Sequence, residues 1–230
     1  MATPKKGYRY QNEVIPGTTT IISRFKEYGA LMYWAHQQGK EGKPLRGQDS
    51  EVEQAAQIGT AAHEMIEAHI NKKSPKIALN KRLKEERHKQ KARTAFESYL
   101  NWEKQTGLTM LSKFQEIQLI SPMYRYGGTP DAIGEIDGEI VLLDWKTSNG
   151  VYADYAIQLA AYQHLVNYGI RMDNGEKLPF LVGTRAHLLR FSKESADFHH
   201  HSFNDLSEEM EQFLLFREAF DHDKTIKKRV

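Results

Sequence analysis

The 230-residue sequence contains no cysteine. Disulfides, thiolate zinc sites and cysteine-held iron–sulphur clusters are therefore excluded, and the absence fits a reducing compartment. No apolar run approaches the ~20 residues that a membrane-spanning helix needs. The opening Met1-Ala2-Thr3-Pro4-Lys5-Lys6-Gly7 carries basic residues with no apolar stretch behind them, so an intracellular, non-secreted protein is expected. Internal repeats, low-complexity tracts and Pro/Ser-rich linkers are also missing. A chain of this length suits one domain, residues 1–230, with a sizeable buried core.

Net charge is small as well, +2 at pH 7, but it is unevenly spread. Between Asn71 and Arg93 stand ten Lys or Arg and only two acids, Glu85 and Glu86, a local net of +8 that leaves the remainder at −6. A basic block on an otherwise acidic chain suits a polyanionic partner, and equally a solvated lysine-rich helix.

What is present reads first as helices. Tyr8 to Ile15 alternates as a short strand closed by Pro16-Gly17, and Thr18, Thr19 and Thr20 can cap a following helix. That helix carries Ile21, Ile22, Phe25, Tyr28, Leu31, Met32 and Trp34 until Gly39. A second helix is predicted over 51–71. Pro75 interrupts it, and a long basic helix follows over about 80–104. This mainly helical part, 1–110, gives way to extended sequence over 111–204. Phe114 to Ser121 and Tyr124 to Gly134 read as strands, and Asp137-Gly138 is a hairpin turn. Beyond it runs Glu139-Ile140-Val141-Leu142-Leu143-Asp144-Trp145-Lys146. Ala153 to Tyr168 is helical, Phe180 to Phe191 and Ala196 to Phe203 pair as strands, and Asp205 caps a last helix leading to a basic tail over 205–230. The order predicts a mixed α/β domain.

Chemistry concentrates at the end of the apolar strand. Side chains alternate along a strand, so Asp144 and Lys146 face one side and Trp145 the other. Such a pair at the rim of a core either neutralises itself or serves a metal. The hairpin at 137–138 folds Gly127-Gly128-Thr129-Pro130-Asp131 back, bringing Asp131 level with Asp144. Two converging carboxylates repel unless a proton or cation intervenes. Mg²⁺ suits such oxygens, and the Trp145 carbonyl offers a third. On the 51–71 helix, Gly59, His63 and Glu67 share a face at one-turn spacing, where the glycine permits close approach and an imidazole can ligate or orient a metal. Gln158 and Tyr162 are spaced likewise. The run His199-His200-His201 reads as surface residues or weak phosphate contacts.

Pro130-Asp131, a hairpin-length spacer and Asp144-X-Lys146 together resemble the signature of the PD-(D/E)XK nucleases. Gly59-Thr60-Ala61-Ala62-His63 upstream and Gln158-Leu159-Ala160-Ala161-Tyr162 downstream are similar to the Gly-x-x-x-His and Gln-x-x-x-Tyr helices of that family's RecB-like branch, in the family's order. The absence of cysteine departs from the members that carry an iron–sulphur cluster. It leaves a compact clusterless chain similar to phage recombination exonucleases and the mitochondrial genome maintenance exonuclease, with Pro16-Gly17-Thr18-Thr19-Thr20-Ile21-Ile22, Leu31 and Trp34 adding to the latter likeness.

The resemblance implies a restriction-endonuclease-like core, a central mixed sheet with an antiparallel meander flanked by helices. It implies Mg²⁺ or Mn²⁺ held by Asp131, Asp144, the Trp145 carbonyl and His63, with Glu116 on the first meander strand as a further acid. It also implies that Lys146 orients water and offsets charge on the reacting phosphate. Gln158, Tyr162 and Glu67 would support the site, and Lys81, Arg82, Lys84 and Arg87 would guide DNA, with Phe96, Tyr99 and Trp102 stacking on bases or packing in the core. The expected activity is metal-dependent hydrolysis of DNA, exonucleolytic at ends or on single strands, in the cytoplasm of a bacterial or phage-infected cell. A restriction-type or structure-specific endonuclease and a non-catalytic nucleic-acid-binding module remain open alternatives.

Overall fold

The computed structural model describes residues 4, 7–26, 29–45, 47, 50–183 and 185–229, without the side chains of residues 30 and 31. Tyr28 and the Leu31 side chain, assigned above to the first apolar stripe, lie outside the described residues.

The chain opens with β1 (Tyr8–Tyr10) and β2 (Glu13–Ile15), followed by the helices α1 (Thr18–Arg24), α2 (Gly29–Lys40), α3 (Glu51–Ile70), α4 (Pro75–Arg82) and α5 (Glu86–Thr106). Strands β3 (Thr109–Met110), β4 (Leu119–Ser121), β5 (Tyr126–Gly128), β6 (Ala132–Ile136) and β7 (Glu139–Lys146) come next. They precede α6 (Ala153–Tyr168), β8 (Ile170–Arg171), β9 (Ala186–Phe191), β10 (Phe198–Phe203) and α7 (Ser207–Lys227). The main sheet has the order β10-β9-β7-β6-β3, with β7 parallel to β9 and the other neighbours antiparallel. This is the mixed sheet expected, with its antiparallel meander and flanking helices. A smaller sheet, β5-β4-β8, lies beside it.

β7 is the axis of the packing. Val141, Leu143 and Trp145 enter one core with Ala62 and Ile66 of α3 and Tyr99 and Trp102 of α5. Leu142 enters the other core, with Leu159, Tyr162 and Leu165 of α6 and Phe213 of α7. A strand buried on both faces must be apolar at consecutive positions, which explains the run Ile140 to Leu143. Tyr99, Trp102 and, in part, Phe96 are therefore core, not an open stacking surface.

Several local expectations need correction. The segment 8–15 is a hairpin, because Gln11 and Asn12 both take left-handed φ values, 49° and 67°, in a two-residue turn that sets Tyr10 opposite Glu13. The threonines do not cap α1. Gly17 holds the cap position, and the Thr18 hydroxyl instead donates to the Gly127 carbonyl at 3.0 Å, tying α1 to β5. The long first helix is two, since α1 ends at Phe25.

The basic helix over 80–104 is also two. Pro75 opens α4, where a missing N–H costs nothing. Leu83 then turns extended (φ −111°, ψ 136°) so that it and Leu79 both reach the core formed with Ile58, Ala61 and Ala92. Phe114 to Ser121 is not one strand. A 3₁₀ turn over Ser112–Phe114 and a left-handed Glu116 (φ 47°) precede β4, so Glu116 stands outside the meander. Tyr124 to Gly134 divides between the two sheets. Of the basic end Lys227-Lys228-Arg229, Lys227 is the last residue of α7, Lys228 is its C-terminal cap and Arg229 follows beyond it. Among the described residues no helix is long and apolar enough to cross a membrane.

Candidate active site

The Asp137-Gly138 turn adopts φ values of 53° and 80°, and Ile136 stands opposite Glu139. The register then runs to Ala132 opposite Leu143, which carries Asp131 to the level of Asp144. Asp131 Oδ2 accepts the Trp145 backbone N–H at 2.8 Å. The N–H and C=O of an extended residue address the same neighbouring strand, so the Trp145 carbonyl points to the Asp131 side as well. Asp144 is ion-paired with Lys146, and both side chains are buried. The Lys146 ammonium lies 5.1 Å from the centre of the Tyr155 ring on α6.

α3 closes the opposite side. A Cβ at Gly59 would come within 2.7 Å of Thr147 Oγ1, so the missing side chain lets α3 lie against the end of β7. One turn later His63 places Nδ1 3.6 Å from Asp131 Oδ1. α3 itself starts from a side-chain cap, Ser50 Oγ accepting from the Glu53 N–H at 3.3 Å. On the α6 side, Gln158 donates to the Tyr162 hydroxyl at 2.8 Å, and both are buried.

The two carboxylates are electrostatically unlike. Burial pushes Asp144 up to about 6, and the Asp131 charge adds to this while Lys146 only partly opposes it. Burial acts on Asp131 too, but there His63 and then Lys146 outweigh it, and its pKa falls below the ordinary range. Burial raises Glu116, helped by the charges of Asp131 and Glu67. The Glu116 N–H donates to the Asp131 carbonyl at 3.1 Å, which keeps that acid beside the site despite its departure from the strand. Burial, with the nearby Asp144 charge, holds the Tyr162 hydroxyl protonated.

Beside the ion-paired Asp144 Oδ2 and Lys146 Nζ, three further buried polar atoms meet here without a hydrogen-bond partner: His63 Nδ1, Asp131 Oδ1 and Asp144 Oδ1. Orphaned acceptors of this kind are costly unless a cation serves them. Among the described residues no three His, Asp or Glu side chains close into a complete metal cluster. Two carboxylates and an imidazole are a partial donor set, and hard divalent ions accept such sets by adding carbonyl, water and phosphate oxygens. The residues present fit such an ion.

Lys81, Arg82, Lys84 and Arg87 do not join this group. Arg82 is paired with Glu64 and Arg87 with Glu85, while Lys81 lines a separate cavity with Glu67 and Lys73. His199, His200 and His201 are all exposed, as expected, and His200 also accepts from Trp102 Nε1 at 3.3 Å while its Nε2 lies 2.6 Å from His187 Nδ1.

Sequence reasoning missed Tyr8 and Thr129. Their hydroxyls are hydrogen-bonded at 2.8 Å two residues before Asp131. The available signal was Gly127-Gly128: a Cβ on Gly127 would meet the Tyr8 ring at 2.2 Å, and one on Gly128 would meet Leu165 and Tyr162 at 2.7 Å.

Compared with known proteins, residues 31–228 match the family model described as the PD-(D/E)XK nuclease superfamily. Nothing among curated protein sequences matches the chain. Among solved structures it is similar to an alkaline exonuclease, LHK-Exo, from Laribacter hongkongensis, at 14% identity and a TM-score of 0.33, over 57% of this chain and 69% of that one. It is also similar to the protein SSO0001, at 11% identity and a TM-score of 0.34, over 83% of this chain and 84% of that one. Both likenesses are remote, whereas the family match takes in α3, the whole main sheet and α6; the chain belongs to the PD-(D/E)XK nuclease superfamily.

Proposed function

We propose that this protein is a Mg²⁺-dependent deoxyribonuclease, an exonuclease acting on DNA ends or single strands in replication, recombination or repair. Its superfamily makes it a phosphodiester hydrolase with a nucleic-acid substrate and a requirement for divalent metal. The observation that carries the finer reading is the convergence of Asp131, Asp144, Lys146 and His63 at the end of β7, with carboxylate oxygens on both aspartates that lack a hydrogen-bond partner.

Asp131, Asp144, the Trp145 carbonyl and His63 would hold Mg²⁺ or Mn²⁺, with Glu116 in reserve beside Asp131. Once bound, the cation supplies Lewis-acid polarisation of the scissile phosphate and a lower pKa for the attacking water. The remaining work falls to the chain. Lys146, buried and anchored on Asp144, presents an ammonium that orients the water and offsets negative charge gathering on the phosphate oxygens. His63, next to Asp131, keeps that carboxylate ionised. Gln158 and Tyr162 fix the floor under Asp144 and keep bulk water from it.

The test is digestion of end-labelled linear DNA, single-stranded and duplex, beside covalently closed circles, with Mg²⁺, with Mn²⁺ and with chelator. Linear DNA should be degraded only with metal, and Lys146→Ala or Asp131→Ala should lower the rate by roughly 10²–10³-fold. Cutting of intact circles would refute the exonuclease reading. Persisting activity in both variants would refute the assignment of the site.

A further inference from the structure

The end of β7 opens into two cavities that meet. The first, about 380 Å³, is bounded by Gly59, Thr60 and His63 of α3, by Lys146 and Ser148, and by Lys193 in the turn between β9 and β10. The second, about 330 Å³, shares Ala55 and Lys193 with the first and continues past Asn149 to Arg87 and Lys91 at the start of α5. Together they form a groove that leaves the active site along α3. At its floor Gly59 lets α3 pack closely on Thr147, since a Cβ there would come within 2.7 Å of Thr147 Oγ1.

Lys193 stands where the cavities join, and its situation differs from that of the other cations there. Arg87 is paired with Glu85, and Lys91 with Glu194. Among the described residues Lys193 has no ion-pair partner, and Glu194, the nearest acid in sequence, is taken by Lys91. The Lys193 side chain is half-buried, and burial together with the Lys91 charge pushes its pKa down against the weaker attraction of Glu194. A half-buried ammonium beside a second cation is unfavourable in the free protein. A phosphate oxygen in the groove would relieve both the burial and the repulsion through a charge-assisted hydrogen bond.

We propose that Lys193 holds a phosphate flanking the scissile one, in a nucleic-acid strand that runs from the active site along this groove toward the start of α5. The inference rests on the nuclease reading above and adds to it the path of the substrate. Lys193 is a positioning residue: it fixes the register of the strand and takes no part in bond cleavage.

The test couples the side chain to one phosphate. A fluorescent DNA oligonucleotide is titrated with protein in chelator, so that the strand stays intact, and compared with a panel carrying one neutral methylphosphonate at each successive position. Wild type should lose affinity about tenfold at one position next to the cleavage point. Lys193→Gln should bind the unmodified strand about tenfold more weakly and lose nothing further at that position. Its plot of log affinity against log salt should be shallower by about one phosphate contact, ~0.7 in slope for a single strand. Lys193→Arg, which keeps the charge, should retain the wild-type pattern, and thermal melts confirm that each variant is folded. A folded Lys193→Gln that loses as much as wild type at every modified position would overturn the assignment while leaving the nuclease reading intact. Wild type that binds no strand at any salt concentration would overturn both.

Discussion

Asp131 and Asp144 are neighbours of the same residue type, both buried, yet the same isosteric change should move stability in opposite directions. Asparagine mimics a neutral carboxyl. Asp131, Asp144 and Lys146 together carry two carboxylates against one ammonium, an imbalance that burial penalises. Asp144 bears most of this cost, and its pKa is pushed up to about 6. An unfolded aspartate titrates near ~3.9. A carboxyl with a raised folded pKa stabilises the fold fully below the unfolded value, and that contribution is lost as pH rises toward 6. At pH 8, Asp144→Asn should therefore restore up to about 3 kcal/mol in metal-free protein. A chain of this length gains roughly 2–4 °C in Tm per kcal/mol, so the rise is of order 5–10 °C. The gain should grow between pH 4 and 6 and vanish below pH 4, where both proteins are neutral at this position. Asp131 has the opposite shift. Its stabilisation is present above the unfolded pKa and lost on acidification, so Asp131→Asn should lower Tm at pH 8. Mg²⁺ should raise the Tm of wild type and leave that of Asp144→Asn nearly unchanged. The assay is thermal unfolding by circular dichroism in chelator across this pH range, then with Mg²⁺. An Asp144→Asn protein that melts below wild type in chelator at pH 8 would refute the charge balance and make Asp144 a structural partner of Lys146.

Gly127→Ala should destabilise by about 1–3 kcal/mol, because its Cβ would overlap the Tyr8 ring at 2.2 Å. Combined with Tyr8→Ala the loss should be less than additive in denaturant unfolding, and full additivity would show that the two residues do not share the contact. His187 is pushed down to about 4, by burial first and then by the charges of His200 and Arg185. Its depressed pKa means that stability is present above about pH 6.5 and lost as pH falls toward 4. His187→Leu should flatten the pH dependence of stability in that window by roughly 1–3 kcal/mol in urea melts, and an unchanged slope would contradict it.

How much of this was legible depended on whether local geometry alone determined the outcome. The opposition of Asp131 and Asp144 was legible because a two-residue Asp-Gly turn admits one register, and that register propagates along an apolar strand. α3 was legible because it buries a stripe at helical spacing, and α6 because a continuous apolar run ends at a clear signal, Gly169. The turn at Gln11-Asn12 lacks the glycine that marks such hairpins, and only Asn12 hinted at it. The break at Leu83 was hidden because no glycine or proline stands there. The side chain is drawn into a core built by α3, α4 and α5, which is a tertiary cause. Tyr8 and Lys193 were missed for the same reason: their partners lie far away in sequence, so no periodicity or spacing connects them.

The location of the site also follows from packing. β7 needs apolar residues at consecutive positions for as long as helices cover both of its faces. Asp144 and Lys146 replace that pattern at the end of the strand, where α3 narrows to Gly59 on one side and α6 presents Gln158 and Tyr162 on the other. A charge placed earlier on β7 would be sealed from any ligand, and one placed later would be solvated and lose its shifted pKa. The seam between the two cores is the place where a carboxylate can be both fully desolvated and within reach of a cavity. The instability of the bare cluster and its capacity to capture a cation thus have a single origin. Any substitution that relieves the first should weaken the second.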